Sequence, residues 1–191
     1  ERILDLEEVF IHSSNIGSAI IALKLGKDKQ SDYFKKLGLN DIIESGIPEV
    51  QYPTFPSRKK TSNIHIATMS YGHGIAVSPL NIISALATTV NGGEYIKPTV
   101  VIDPKLLNRP RIKVFDKDVS NIMKKLYKSN AEIGTAKKMK SMSYLVGAKT
   151  GTANKNDGRK YKKKKVVSSL ITFFPINNPK YALFILLDEP K

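Results

Sequence analysis

Four consecutive residues, Lys149, Thr150, Gly151 and Thr152, bring together side chains that could bind and activate an acyl substrate. They follow a predicted apolar strand over residues 144–148, so a cation, two hydroxyls and a residue without a Cβ would share one extended edge. Such an edge can pair with the backbone of a substrate, hold its carboxylate and direct an N–H at a developing oxyanion. The pattern therefore predicts a substrate-binding strand, although the composition alone gives about 0.2 such triplets by chance.

A second polar cluster, Ser13-Ser14-Asn15, lies at a break between two predicted helices. Side chains at a rigid helix junction keep a fixed direction, which is why catalytic hydroxyls and amides are often held there. Ser14 or Asn15 could equally serve as the N-cap of the second helix. Because about one Ser-x-Asn triplet is expected by chance in this composition, the cluster gains weight only together with the lysine-containing strand.

Hydrophobic periodicity places helices in the first part of the chain and strands in the last third. Ser78 and Pro79 form a strong helix start, because an N-cap residue is followed by proline at the first helical position. Residues 46–63 contain three prolines and are predicted to be an extended loop. Helices followed by an antiparallel meander indicate an α+β domain with helices packed on an antiparallel sheet. The predicted helices are residues 5–12, 16–26, 31–37, 78–91 and 116–127, and the predicted strands are residues 144–153, 166–174 and 181–187.

The net charge of +14 is concentrated in one segment of the sequence. Residues 124–165 carry 14 basic and 2 acidic side chains, so this segment alone accounts for +12. Its sharpest cluster, from Lys155 to Lys165, could bind an anionic polymer or a membrane surface. Lysine outnumbers arginine 26 to 5, however, which is typical of a lysine-biased composition on a solvated hairpin. We therefore predict no nucleic-acid partner.

Several classes of site are excluded by the composition. With no cysteine, the chain can form no disulfide, thiolate nucleophile or cysteine-based zinc site. His12, His65 and His73 do not have the spacing of metal ligands, so each is predicted to make a local polar contact. The longest apolar run, residues 181–187, is far shorter than the roughly 18 residues of a membrane span. We predict no metal, no cofactor and no transmembrane segment in these residues.

Five stretches, taken in order, resemble the transpeptidase domain of class B penicillin-binding proteins, and the septal cell-division type most of all. The K-T-G triplet is a signature of penicillin-binding proteins and serine β-lactamases, and Ser13-Ser14-Asn15 stands where their S-x-N motif is expected. The resemblance covers residues 5–189, and five ordered stretches are far more specific than either triplet. They are residues 9–17 (VFIHSSNIG), 67–74 (ATMSYGHG), 77–80 (VSPL), 133–136 (IGTA) and 147–153 (GAKTGTA).

The resemblance implies the fold shared by penicillin-binding proteins and serine β-lactamases. Residues 1–191 would be the C-terminal portion of one such domain, with a helical part over about residues 1–140 and a three-stranded meander over about residues 143–188. The family's nucleophile is the serine of an S-x-x-K motif, several dozen residues before S-x-N. The only S-x-x-K here starts at Ser57, after Ser13 and inside the proline-rich loop, so we interpret it as a coincidence. We expect the nucleophile upstream of Glu1, and a fold truncated at its N-terminal side and without its last helix.

The resemblance also implies catalytic roles for three residues around the missing serine, which would form an ester with the substrate. Ser13 would relay a proton to the leaving nitrogen, because a hydroxyl can donate and accept at once. Asn15 would hydrogen-bond the amide of the substrate. Lys149 would donate to Ser13 and attract the terminal carboxylate of the substrate by its positive charge.

Three further residues would bind the substrate. The hydroxyls of Thr150 and Thr152 would donate to the substrate carboxylate. The N–H of Thr152 would serve as one oxyanion donor, paired with the N–H of the missing serine. Gly151 would allow the substrate backbone to approach the strand closely.

The implied activity is that of a peptidoglycan D,D-transpeptidase, which cross-links stem peptides through a serine acyl-enzyme during cell division. Its partners would be D-Ala-D-Ala stem peptides, β-lactams that mimic them, and division-machinery membrane proteins bound through the part of the protein outside this sequence. The parent protein would lie in the bacterial inner membrane with its catalytic domain in the periplasm, and this fragment alone would be inactive. Two alternatives stay open: a β-lactam sensor or serine β-lactamase on the same fold, and a non-catalytic basic binding module.

Overall fold

A computed structural model of the protein describes residues 3–48, 50–140, 144–156 and 161–190. Three long strands at the end of the chain form an antiparallel sheet in which each strand lies beside the next one in the sequence, and two short strands pair separately. The predicted α+β class is confirmed. The helices are α1 (Leu6–Ile11), α2 (Asn15–Leu25), α3 (Lys27–Lys36), α4 (Asn63–Met69), α5 (Pro79–Val90), α6 (Pro104–Leu107) and α7 (Lys117–Glu132). The strands are β1 (Glu94–Tyr95), β2 (Ile112–Lys113), β3 (Gly147–Asn156), β4 (Tyr161–Phe174) and β5 (Tyr181–Asp188).

Local capping chemistry sets the start of the helices near the predicted site. Asp5 caps α1 in a capping box with Glu8, in which each side chain accepts from the backbone N–H of the other residue. The Ser14 hydroxyl caps α2 by accepting the N–H of Gly17 at 3.1 Å. Ser78 caps α5 as predicted, and proline follows it. Of the two cap candidates for α2, Ser14 is the cap, and Asn15 is the first residue of the helix.

The helices differ from the predictions in four places. Helix α6 was not predicted, and α7 continues to Glu132, five residues beyond the predicted end at residue 127. Helix α4 begins within the segment predicted to be an extended loop, because Ser62 and His65 form a capping box in which imidazole takes the place of the usual glutamate. This contact confirms His65 as a local polar residue. Helix α3 starts at Lys27, four residues before the predicted Ser31. Only one residue, Gly26 at φ +83°, is non-helical between α2 and α3. The first residues of α3 are polar, so they lack the helical spacing of apolar residues from which a helix is predicted.

The three-stranded sheet presents alternate residues to two separate hydrophobic clusters, as the two-residue period of a strand requires. Phe173 packs edge-to-face on Tyr127 of α7, with 5.4 Å between the ring centroids. Ala148 is fully buried in a second cluster with Ala131 of α7. Gly147 leaves space for the Phe173 ring, because a Cβ there would lie 2.3 Å from a ring atom. Helix α7 is therefore held tightly beside β3, the strand that carries the predicted site.

A buried amide joins α7 to β3. The Asn130 side chain is fully buried; its Nδ2 donates to the Ala148 carbonyl at 2.8 Å, and its Oδ1 accepts the Thr135 N–H at 3.1 Å. The Thr135 N–H is shared with the Ile11 carbonyl, 3.0 Å away at the end of α1. Gly134 makes this approach possible, because a Cβ there would lie 2.3 Å from the Asn130 Oδ1. The Asn130 side chain thus connects α7, β3 and the turn that contains Thr135.

Ion pairs connect the end of β3 and the first half of β4 with the end of β5. Lys155 on β3 contacts Asp188 at 2.9 Å and Glu189 at 3.0 Å, and Lys165 on β4 contacts Glu189. Hydrogen bonds to Asp188 and then to Glu189 raise the pKa of the Lys155 ammonium. The two ends of the predicted basic hairpin are therefore partly neutralised, while residues 157–160 lie outside the described ranges. Among the helices that the structure describes, none combines the length and the apolar character needed to cross a membrane.

We predict that Asn130→Ala lowers the free energy of unfolding by about 2 kcal/mol, because it leaves the buried Ala148 carbonyl without a donor. Urea unfolding measures this effect. The matched control is Asn108→Ala, at an exposed position, which should change the free energy by less than about 0.5 kcal/mol. Equal effects of the two substitutions would show that the buried amide does not hold α7 against β3.

Candidate active site

The junction between α1 and α2 places Ser13 in an unusual backbone conformation. Its φ is +55°, in the left-handed region that non-glycine residues seldom adopt, and such residues cluster at functional sites. The Ser14 N–H donates to the Val9 carbonyl at 3.0 Å, which closes the turn. Gly17 allows the two helices to approach, because a Cβ there would lie 2.5 Å from a methyl group of Val9. These contacts therefore hold the backbone of the junction that carries Ser13.

Lys149 reaches this junction from the sheet. Its Nζ donates to the Ser13 Oγ at 2.7 Å, across 136 positions of sequence, so the predicted hydrogen bond is present. The same Nζ donates to the Thr150 carbonyl at 3.1 Å and lies 5.9 Å from the centroid of the Phe10 ring. A cation at this distance from an aromatic face is attracted by the ring quadrupole. Three contacts therefore hold the ammonium group between the helix junction and β3.

Burial lowers the pKa of Lys149 from its ordinary value of 10.5, because the charged form loses hydration in the site. The lysine is thus easier to deprotonate than an exposed one. While protonated, it still donates to Ser13, so the serine hydroxyl accepts one hydrogen bond and keeps its own proton available for another group. A residue with both functions can pass a proton onwards.

Two residues without a predicted role support the K-T-G strand. The Thr150 Oγ1 donates to the Thr135 Oγ1 at 2.8 Å, and Thr135 is anchored in turn by Asn130. The sequence signal for Thr135 was its place in the stretch 133–136, although that stretch does not indicate a contact with Thr150. Asn130 had no signal, since it lies three residues beyond the end of the predicted helix at residue 127.

The edge of β3 determines which backbone groups can meet a ligand. Within the described ranges, β3 pairs with β4 on one side only. Alternate residues of a strand direct their N–H and C=O to opposite edges, and the Ala148 carbonyl is directed away from β4, towards Asn130. Thr150 and Thr152 lie two and four residues after Ala148, so their backbone N–H and C=O groups point to the same edge as those of Ala148. The Thr152 N–H therefore lies on the free edge. Gly151 packs against its partner residue on β4, since a Cβ at this position would lie 2.6 Å from the Ser169 Oγ.

A cleft of about 400 Å³ separates the helix junction from the free edge of β3. Ser70 and Tyr71, just after α4, also line it, and both belong to the stretch 67–74 that carries the family resemblance. Ser57 is exposed and is not among the described residues of the cleft, which agrees with its interpretation as part of a loop. In the described part of the chain, no three acidic or histidine side chains are grouped to hold a metal ion. All six predicted site residues line the cleft: Ser13, Asn15, Lys149, Thr150, Gly151 and Thr152.

Comparison with known proteins gives the family. All 191 residues match the family model described as the penicillin binding protein transpeptidase domain. The chain belongs to this family. It is 36% identical over its whole length to "Probable peptidoglycan D,D-transpeptidase FtsI" of Caulobacter vibrioides, and 30% identical over 98% of its length to the peptidoglycan D,D-transpeptidase FtsI homolog of Mesostigma viride. The predicted resemblance to septal-type penicillin-binding proteins is confirmed.

The fold comparison agrees with the family assignment. The structure matches the apo transpeptidase domain of penicillin-binding protein 3 from Burkholderia pseudomallei with a TM-score of 0.89 and 28% identity, over 98% of this chain. That match covers 57% of the solved domain. The chain spans 34% and 36% of the lengths of its two curated relatives. The predicted penicillin-binding protein fold is therefore confirmed for the described residues.

We predict that Lys149→Met changes the free energy of unfolding in a pH-dependent way. Below the folded-state pKa, Lys149 is protonated in both states, and its burial destabilises the native chain in full. As the pH rises through that pKa towards 10.5, the native chain releases its proton before the unfolded chain does, so this destabilisation disappears. The stability of Lys149→Met relative to the unsubstituted protein should therefore fall between pH 7 and about 10.5.

Urea unfolding at several pH values checks this prediction. Lys138→Met is the matched control, because Lys138 is exposed and the same charge is removed. Its stability relative to the unsubstituted protein should stay constant over this range. A constant difference for Lys149→Met as well would contradict the burial of the Lys149 charge.

Proposed function

We propose that this chain forms the substrate-binding side of a peptidoglycan D,D-transpeptidase active site. The observation that carries the proposal is the 2.7 Å hydrogen bond between Lys149 and Ser13, which joins the two motifs at one cleft. A serine nucleophile with its S-x-x-K lysine would come from another segment of the same polypeptide. Among the described residues that line the cleft, no serine is followed by lysine three positions later, and the chain spans about a third of the length of two of its relatives.

The reaction would be acyl transfer from one stem peptide to another. The serine oxygen attacks the carbonyl carbon of the penultimate D-Ala, the S-x-x-K lysine takes the serine proton, and the C–N bond to the terminal D-Ala breaks. Ser13 donates its proton to the leaving nitrogen and takes one from the S-x-x-K lysine in return, while its oxygen accepts from Lys149. An amine of a second stem peptide then attacks the ester, the serine recovers its proton, and the cross-link is formed. β-Lactams would stop at the ester.

The free edge of β3 would hold the D-Ala-D-Ala end of the substrate. The Thr152 N–H would bind the oxyanion that develops in the transition state, and Asn15 at the start of α2 would donate to the substrate amide. Lys149 and the hydroxyls of Thr150 and Thr152 would bind the terminal carboxylate. Gly151 adds no side chain to this edge. A positive potential and several donors at one end of the cleft suit a ligand that ends in a carboxylate.

Two of the relatives bear the name FtsI, and this supports a proposal for the setting of the activity. We infer a role in cell division, with the parent protein in the inner membrane and its catalytic domain in the periplasm. Contacts with division-machinery proteins would involve the part of the protein outside these residues. Fractionation of cells and labelling of intact spheroplasts with a membrane-impermeant reagent would test this placement; a cytosolic domain would contradict it.

We predict that fluorescent penicillin labels the full-length protein but not the 191-residue chain alone. Ser13→Ala and Lys149→Ala should each slow labelling of the full-length protein by about 10²-fold, because proton transfer to the leaving group is impaired. The matched control is Ser57→Ala, which should label at the unsubstituted rate. Labelling of the 191-residue chain that is lost in Ser57→Ala would contradict the proposal, because the nucleophile would then be within these residues.

A second prediction tests the edge of β3. Thr152→Pro removes the backbone N–H and should slow acylation by about 10²–10³-fold, as expected for the loss of one oxyanion donor. Thr152→Ala removes only the hydroxyl and should slow it by about tenfold. Single-turnover acylation of the full-length protein separates the two, with thermal unfolding as the check of folding. Equal rates for the two variants would show that this N–H does not bind the oxyanion.

A further inference from the structure

We propose that Thr135 is a positioning residue for the anionic end of the substrate and acts through Thr150 by a switchable chain of hydroxyl hydrogen bonds. The inference rests on the proposed function and deepens it, because it concerns how the K-T-G strand binds a carboxylate. It is carried by four hydrogen bonds that connect Ala148, Asn130, Thr135 and Thr150.

The orientation of the Asn130 amide is determined by its neighbours. One end of the amide faces the Ala148 carbonyl, which can only accept, so that end must be the NH₂ group. The other end faces the Thr135 N–H, which can only donate, so that end must be the oxygen. A reversed amide would face each neighbour with a like group. Asn130 is fully buried, so no solvent molecule can compensate for such a reversal.

This orientation sets the direction of the two hydroxyl bonds. The Thr135 Oγ1 lies 3.2 Å from the Asn130 Oδ1, which has no proton, so the Thr135 hydroxyl must be the donor. Its single proton is thereby used. The Thr150 Oγ1 lies 2.8 Å from the same Thr135 oxygen, so the proton between them must belong to Thr150. In the free site, Thr150 therefore presents only lone pairs to the cleft.

In this state Thr150 cannot donate to a carboxylate, since its lone pairs would face the oxygens of the anion. The chain can reverse in one step. Thr150 turns its proton to the carboxylate, and Thr135 turns its own proton from Asn130 to Thr150 across the same 2.8 Å. Asn130 Oδ1 keeps the Thr135 N–H as a partner, so no buried group is left without a hydrogen bond.

The reversal is favourable only when the ligand is charged. It gives up a neutral bond of 3.2 Å to Asn130 and gains a hydroxyl bond to an anion, and bonds of the second kind are roughly twice as strong. A neutral ester at the same position offers no such gain. The hydroxyl of Thr135 also holds the Thr150 oxygen in place in both states. Thr135 thus favours a carboxylate over an uncharged group without touching either.

Acylation of the full-length protein by benzylpenicillin and by its methyl ester tests the inference. The measured quantity is the ratio of the two second-order rate constants, obtained by competition with fluorescent penicillin. Thr135→Val keeps the shape of the side chain and removes the hydroxyl, and it should lower the acid-to-ester ratio by about tenfold. Thr135→Ser retains the hydroxyl and should keep the ratio within about twofold of the unsubstituted protein.

The outcomes separate this inference from the proposed function. If neither penicillin acylates the unsubstituted full-length protein, the proposed function fails and the inference fails with it. If acylation occurs and Thr135→Val slows the acid and the ester equally, or raises their ratio, only the inference is overturned, and Thr135 is structural. A lowered ratio in Thr135→Val that Thr135→Ser restores supports the switch, because a general loss of packing would not depend on the charge of the ligand.

Discussion

The geometry of the site depends on one buried amide, that of Asn130. The carbonyl of Ala148 on an edge strand needs a donor, and a buried carbonyl without one would destabilise the fold by about 1–3 kcal/mol. Asn130 supplies that donor from α7 and at the same time accepts the N–H of Thr135. In surroundings of low dielectric constant such bonds are stronger and more directional than in water. The edge of β3 is therefore placed with respect to α7 by polar contacts as well as by packing.

The remaining contacts at the site are arranged for chemistry more than for stability. Ser13 has a left-handed backbone, and burial disfavours the charge of Lys149. Both features destabilise the folded chain, and both are maintained by neighbours such as the close packing of Val9 on Gly17. Local conflicts of this kind are expected at functional sites, where the surrounding fold supplies the compensation. The hydrogen bond between Ser13 and Lys149 joins the residue with the left-handed backbone to the residue with the buried charge.

The strongly basic character of the chain has a partly structural explanation. Lys155 and Lys165 face Asp188 and Glu189 at the end of the sheet opposite the helix junction, where the pairs bridge all three strands. Exposed pairs of this kind are screened by salt, so they favour one register without dominating stability. These contacts connect the K-T-G strand to its neighbours at both ends: Asn130 acts at one end and the ion pairs at the other.

Local signals in the sequence determined much of this protein. The N-cap of α5, two candidate N-caps for α2, the three strands and the order of the S-x-N and K-T-G motifs could be predicted, because each depends on residues close together in the chain. Helix α4 and the start of α3 were missed for a related reason. A histidine replaced glutamate in the capping box of α4, and a single glycine separated α2 from α3.

Only the tertiary structure decided how the motifs work together. The bond between Lys149 and Ser13 crosses 136 positions, and the lowered pKa of Lys149 arises from burial among several elements. The roles of Asn130 and Thr135 depend on which group of an amide faces which neighbour, and no local pattern encodes that. Sequence determines which groups are available and which element carries each one. The distances, burial and hydrogen-bond directions that make those groups a site arise only when the elements pack.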